Sequence, residues 1–229
     1  MPRRWRLHQL STHDQFPQPP EDIKVKTETL AAGTKMWRVH QSQFGEAAFN
    51  PGFGNARFSP INNASGEKIP TLYAGESIDV ALMESVFHDV PHSGELKTHS
   101  ISKFDGQMLS ELTLTDDLCM AKLHGPALRH LGIPEAALIH SDASEYPHTR
   151  AWAEKIHASE PEVQGLKWDS KQAGGLAYMI FGDRVDENVF SISTPGTLLT
   201  ESSKAMERIE YLVDEMGVQL VDPDTQDTE

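Results

Sequence analysis

Arg38, Arg57, Tyr73, Glu84 and Ser170 are the residues of this sequence whose types suit chemistry on a phosphorylated, aromatic ligand. Guanidinium groups pair with phosphate oxygens, often two at a time, and a tyrosine ring stacks on a flat group. A carboxylate stabilises positive charge that develops when a glycosidic bond breaks. Ser170 lies in a polar turn followed by Gly174 and Gly175, where a hydroxyl either caps its own turn or lines a pocket.

The stretch from Thr71 to Val90 must position two of the five. Leu72 and Tyr73 suit a pleated surface, Gly75 permits a turn, and Ser77 is a helix N-cap. From Ile78 to Val86 apolar residues fall on nearly every face, which predicts a helix buried on more than one side. Glu84 is the exception, with Val80, Ala81, Phe87 and His88 as its helical neighbours. An unpaired carboxylate buried there costs several kcal/mol, so a cation or donor elsewhere satisfies it, or it faces a cleft where a ligand does.

The remaining elements follow from periodicity and breakers. Lys35 to His40 alternates as a strand, with Met36, Arg38 and His40 on one face; placing Trp37 and Val39 in the core directs Arg38 to the opposite face. Phe44 to Asn63 is a Gly-, Asn- and Pro-rich loop long enough to be a binding loop, and it carries Arg57. Strands are predicted over Glu95–Ser102, Gln107–Thr113, the segment after Gln164, Leu176–Phe181 and Asn188–Ser193. Helices are predicted over Leu123–Leu131, Ser144–Ser159 and Ser202–Met216, the last ending at Gly217. Residues 1–30 read as an arm, 31–221 as one catalytic domain and 222–229 as an acidic tail.

A length of 229 residues suits one sizeable core. The formal charge of −14 opposes non-specific nucleic-acid binding, which needs clustered Lys and Arg. Cys119 is the sole cysteine, so no internal disulfide or cysteine metal knuckle forms. No signal peptide or membrane span is recognisable, and a cytoplasmic location is expected. His88 and His92 have helical i, i+4 spacing, but Pro91 interrupts it, so neither a metal nor another cofactor is expected.

NAD+ fits the five side chains, because its nicotinamide is a cationic leaving group on ribose and needs no general acid. The order Trp37-Arg38-Val39, Asn55-Ala-Arg-Phe-Ser-Pro60, Leu72-Tyr-Ala-Gly-Glu-Ser-Ile-Asp-Val-Ala-Leu-Met-Glu84 and Trp168-Asp-Ser170 resembles the RES domain over roughly residues 35 to 195. That resemblance implies an α+β fold, a mixed β-sheet core with flanking helices similar to the ADP-ribosyltransferase fold. It also implies a toxin of a bacterial toxin-antitoxin pair that depletes NAD+ by hydrolysis or phosphorolysis, with water or inorganic phosphate as acceptor. Arg38, Tyr73 and Glu84 are then catalytic, with Tyr73 near nicotinamide and Glu84 the key carboxylate; Arg57 and Ser170 bind substrate. The implied partner is an antitoxin with an Xre-type helix-turn-helix domain, which would carry any DNA contact. ADP-ribosylation of a protein, or an inactive partner-binding domain, are the alternatives. The second draws on Ala56 and Trp168-Asp169, which depart from the family's usual Gly and Tyr-Pro. The terminal extensions are assigned to self-association or antitoxin binding.

Overall fold

The computed structural model describes residues 16–91, 96–171 and 173–222. Residues 1–15 of the arm, His92, Glu95 and residues 223–229 of the acidic tail lie outside them. In chain order the strands and helices are β1 (Thr27–Leu30), β2 (Lys35–Gln41), β3 (Ile61–Asn62), β4 (Lys68–Ile69), β5 (Thr71–Gly75) and α1 (Ile78–Met83). Then come β6 (Lys97–Ser100), β7 (Gln107–Leu114), β8 (Leu118–Lys122), α2 (Pro126–Leu131), α3 (Glu135–Leu138) and α4 (Tyr146–Ser159). The last five are β9 (Gly165–Asp169), β10 (Leu176–Phe181), β11 (Phe190–Leu198), α5 (Ser203–Met216) and β12 (Val218–Val221).

Eight strands form one mixed sheet in the order β1-β8-β9-β10-β5-β2-β7-β11, with helices flanking it. Only β8 and β9 run parallel; the other neighbours are antiparallel. The architecture is α+β. A weak seam lies in the middle of the sheet. Strand β2 pairs with β7 along its whole length, and β5 does the same with β10. Between β2 and β5 the ladder holds one residue pair, Trp37 with Gly75. The two halves of the sheet therefore part beyond that pair, opening space that side chains of both strands line.

Apolar residues pack both faces. Leu72, Ala74, Met36, Leu112 and Ile180 lie in one cluster, while α4 covers Trp168, Met179 and Phe181 with Trp152 and Ile156. A third cluster joins α1 to α5 through Leu82, Met83, Ile209 and Leu212. Arg208 of α5 adds a bidentate pair with Asp79 of α1, at 2.6 and 2.5 Å. The C-terminal helix thus braces the short helix that leads into Glu84.

Three expectations need correction. The helix from Ile78 stops at Met83, three residues short of Val86, although Val86 and Phe87 remain buried in the turns beyond it. The buried face of β2 is that of Met36, Arg38 and His40, whereas Trp37 and Val39 are half-buried. Alternation separates the two faces of a strand without saying which is covered more fully. Finally, the described part of the arm is packed: β1 pairs with β8, Ile23 is buried, and the Trp152 indole donates to the Pro17 carbonyl at 2.8 Å.

His99 of β6 lies buried between Phe87 and Phe104, with ring centroids 5.0 and 5.7 Å away. Burial lowers its pKa, a shift that the charge of Asp89 opposes. The neutral ring is therefore favoured in the fold, and the unfolded chain binds more protons as pH falls below the ordinary value near 6.5. Stability is retained above that value and is lost as pH drops toward the folded one. His99→Phe should flatten this part of the pH dependence, read as urea midpoints between about pH 7.5 and 5.5. An unchanged slope would assign the loss to other groups.

Candidate functional site

Tyr73 sits at the seam. Its ring is edge-on to Trp168, with centroids 6.0 Å apart, and its hydroxyl accepts a hydrogen bond from the Phe58 amide at 3.1 Å. Burial raises its pKa well above the ordinary tyrosine value, and the charge of Glu84 adds to the shift, so the phenol stays neutral and can donate. Two residues further on, Gly75 lets α1 follow the strand closely, because a Cβ there would lie 2.6 Å from the Val80 side chain. Ser77 caps α1 by accepting from the Val80 amide at 3.2 Å. This tight strand-to-helix step delivers Glu84 at the helix C-cap, half-buried, with its amide bonded to the Val80 carbonyl at 2.9 Å.

The Glu84 carboxylate accepts no hydrogen bond and joins no salt bridge among the described residues. It lines a narrow cavity with Tyr73, Arg57, Tyr146, His88 and Lys171. Of the two outcomes expected from sequence, a cation elsewhere in the fold or an opening toward ligand, the second is the geometry present. Arg57 contributes the guanidinium of this wall. Its Nη1 donates to the Ser141 carbonyl and hydroxyl at 3.0 and 2.8 Å, and its guanidinium carbon lies 5.4 Å from the centre of the Tyr146 ring.

The loop that presents Arg57 is held from α4. Thr149 donates its hydroxyl to the Arg57 carbonyl, while Arg150 donates to the Ala56 carbonyl from Nε and Nη2, both at 3.1 Å, and to the Asn55 side chain. From sequence Arg150 falls in the helix expected over Ser144–Ser159 and has no role assigned to it. Arg150→Ala should raise the KM for ligands held by Arg57 by roughly tenfold while changing kcat little, since charge-assisted bonds of about 1.5–3 kcal/mol are lost at a positioning residue. Equal parameters for Arg150→Ala and the wild type would show that the loop holds its shape without α4.

Arg38 is deeply placed, 5% exposed. Its two terminal nitrogens donate to the carbonyls of Glu46 and Ala48, each at 2.6 Å, so it braces the loop that covers the seam as well as lining the space beneath. Burial lowers its pKa to about 10, opposed by Glu187 and Glu46, and it remains charged at neutral pH. With Tyr73, His40, Phe53 and neighbouring residues it lines a cleft of about 370 Å³.

Tyr73 is the wall common to this cleft and the Glu84 cavity; Arg38 and Glu84 do not line the same hollow. The Glu84 cavity continues on its other side into a cleft of about 440 Å³, with which it shares Arg57, His88, Tyr146 and Lys171. Four of the five expected residues thus divide between two spaces that have Tyr73 as a common lining residue. Ser170 lines neither. It is buried in the turn after β9, its amide donating to the Gly175 carbonyl at 2.7 Å. Ser170 Oγ, Trp168 Nε1 and Arg57 Nε, and away from this region His99 Nε2, are buried without a hydrogen-bond partner among the described residues. Such atoms cost about 1–3 kcal/mol each and are few in folded proteins. Lys171 and Tyr146 were not anticipated, because no local pattern ties them to Glu84, whereas His88 is its i+4 neighbour in the sequence.

Among the described residues no group of three or more His, Cys, Asp or Glu is placed to hold a metal ion. None of their helices is long and apolar enough to cross a membrane. The sequence model of the RES domain matches residues 35–199. A structural relative is a chain in the crystal structure of the M. tuberculosis MbcT-MbcA toxin-antitoxin complex, with a TM-score of 0.54 and 16% identity over 80% of this chain and 90% of that one. Among curated proteins none matches the chain.

Proposed function

The chain belongs to the RES domain family, and from that premise we propose that it is the toxin of a toxin-antitoxin pair and cleaves the nicotinamide-ribose bond of NAD+. The observation that supports this most is the unpaired, half-buried Glu84 carboxylate beside Tyr73 and Arg57. A carboxylate without a protein partner in a cavity is poised for a cation that exists only during reaction. Nicotinamide would lie against Tyr73 and leave as a neutral base, carrying away the bonding electron pair. The ribosyl oxocarbenium left behind would be stabilised by Glu84 until water or inorganic phosphate adds to its anomeric carbon. With water a proton is released; with phosphate the product is a ribosyl phosphate ester. Arg57 would hold phosphate oxygens of the dinucleotide.

The structural likeness to a toxin-antitoxin complex favours a protein partner that blocks the site, and we propose an Xre-type antitoxin in that role. A chain of formal charge −14 fits a toxin that leaves DNA contact to its partner. Induced expression without the antitoxin should lower cellular NAD+ and arrest growth, whereas Glu84→Gln expressed to the same level should do neither. Mass spectrometry of products formed with and without phosphate identifies the acceptor. Growth arrest by both forms at constant NAD+ would refute the proposed reaction.

A further inference from the structure

The cleft at the sheet seam has a composition unlike the rest of the molecule. The chain holds 34 acidic against 20 basic residues, yet among the described residues no carboxylate lines this cleft. Its polar lining is Arg38, His40, Asn50 and the amides of Gln41, Gln43 and Gln107. The cleft on the other side of Glu84, by contrast, is lined by Asp89 and Asp142 as well as by Arg57 and Lys171. An anionic group with a neutral polar edge is therefore better matched to the seam cleft, where a buried guanidinium meets no opposing carboxylate in the lining.

Its rim carries an aromatic ring that packing does not explain. Phe53 is 65% exposed and stacks on no aromatic ring among the described residues. Its backbone is nevertheless fixed. Asn50 Oδ1 accepts from the amides of Gly52 and Phe53 at 2.9 and 2.7 Å, and Asn50 Nδ2 donates to the Phe53 carbonyl at 3.0 Å. Gly52 and Gly54, at φ 109° and 88°, take the positive-φ conformations that this turn needs on either side of the ring. Tyr146 lies under the Arg57 guanidinium and Tyr73 abuts Trp168, while Phe44, the third aromatic ring of the seam cleft, is half-buried where Phe53 is exposed. Phe53 keeps a free face at the mouth of an acid-free cleft.

We infer that the seam cleft is the adenosine-phosphate subsite of this protein, with Phe53 stacking on the purine, glutamine amides meeting its edge and Arg38 facing the phosphate. The inference rests on the NAD+ reading above and adds the direction of binding: the adenylate end lies on the β2 side of Tyr73 and the reacting ribose on the Glu84 side. Stacking at Phe53 is distant from the bond that breaks, so it contributes to substrate binding rather than to the chemical step.

Purified full-length chain is titrated calorimetrically with AMP, and the kinetics of nicotinamide release are measured with NAD+ and with nicotinamide mononucleotide, which lacks the adenylate. Phe53→Ala should weaken AMP binding and raise the KM for NAD+ by roughly tenfold or more, the range for losing one base-aromatic stack. It should leave kcat and all constants for the mononucleotide unchanged, and Phe53→Trp should restore AMP affinity. Circular dichroism verifies that both variants fold, as expected for an exposed position. AMP binding that is equal in the wild type and Phe53→Ala, or absent from the wild type at millimolar concentration, overturns the inference. If the wild type binds AMP through Phe53 but releases no nicotinamide, the subsite stands and the proposed reaction falls.

Discussion

Glu84→Gln is expected to lower kcat for NAD+ cleavage on the order of 10²- to 10³-fold, comparable to removing one group that stabilises transition-state charge. The amide has nearly the same shape, so KM should change little. Stability should be retained or slightly raised, because the native carboxylate forms no hydrogen bond or ion pair among the described residues that the substitution would break. Function and stability would then move in opposite directions, the pattern expected when a site keeps a charge that the fold does not need. Stopped-assay kinetics beside urea denaturation check both parts. Undiminished turnover would remove Glu84 from the chemistry, and a large loss of stability would mark it as a structural acid.

The second large effect is expected at Arg38, where the two aspects cannot be separated. Its guanidinium satisfies the carbonyls of Glu46 and Ala48 from within the sheet. Lysine keeps the charge but offers a point donor without the planar fork that spans both carbonyls. Arg38→Lys and Arg38→Ala should therefore each lose about 2–4 kcal/mol of folding stability, from unsatisfied buried carbonyls and, for alanine, the cavity as well. Both should also lose NAD+ cleavage, because the loop over the seam is no longer held. A wild-type urea midpoint for Arg38→Lys would show that charge alone sustains the loop.

The distinction between what was legible in the sequence and what was not follows the range of the interactions. The step from Tyr73 through Ser77 to Glu84 is encoded locally, by a strand pair, a cap and an apolar run, and it appears as expected apart from the early stop at Met83. The end of α1 depends on Val86 and Phe87 turning into the α5 cluster, a contact with residues more than a hundred positions away. Strand β8 was not anticipated, since Leu118 to Lys122 is a short apolar run of the kind that periodicity does not assign, and its partners β1 and β9 lie far off in the chain. The seam between β2 and β5 is likewise a property of pairing, visible only once the ladders on either side are known. Arg38, Arg57, Tyr73 and Glu84 carried enough chemical identity to be selected from sequence. Their division between two hollows that have Tyr73 as a common wall, and the placement of Lys171 and Tyr146 beside Glu84, required the fold.

The most direct measurement is the time course of nicotinamide release from NAD+ by the purified wild-type chain, freed of any co-expressed partner. Release of one nicotinamide per NAD+ consumed, through many turnovers and without added metal, is the predicted result. NAD+ that stays intact beside correctly folded protein would contradict the assignment of this site to cleavage of that bond.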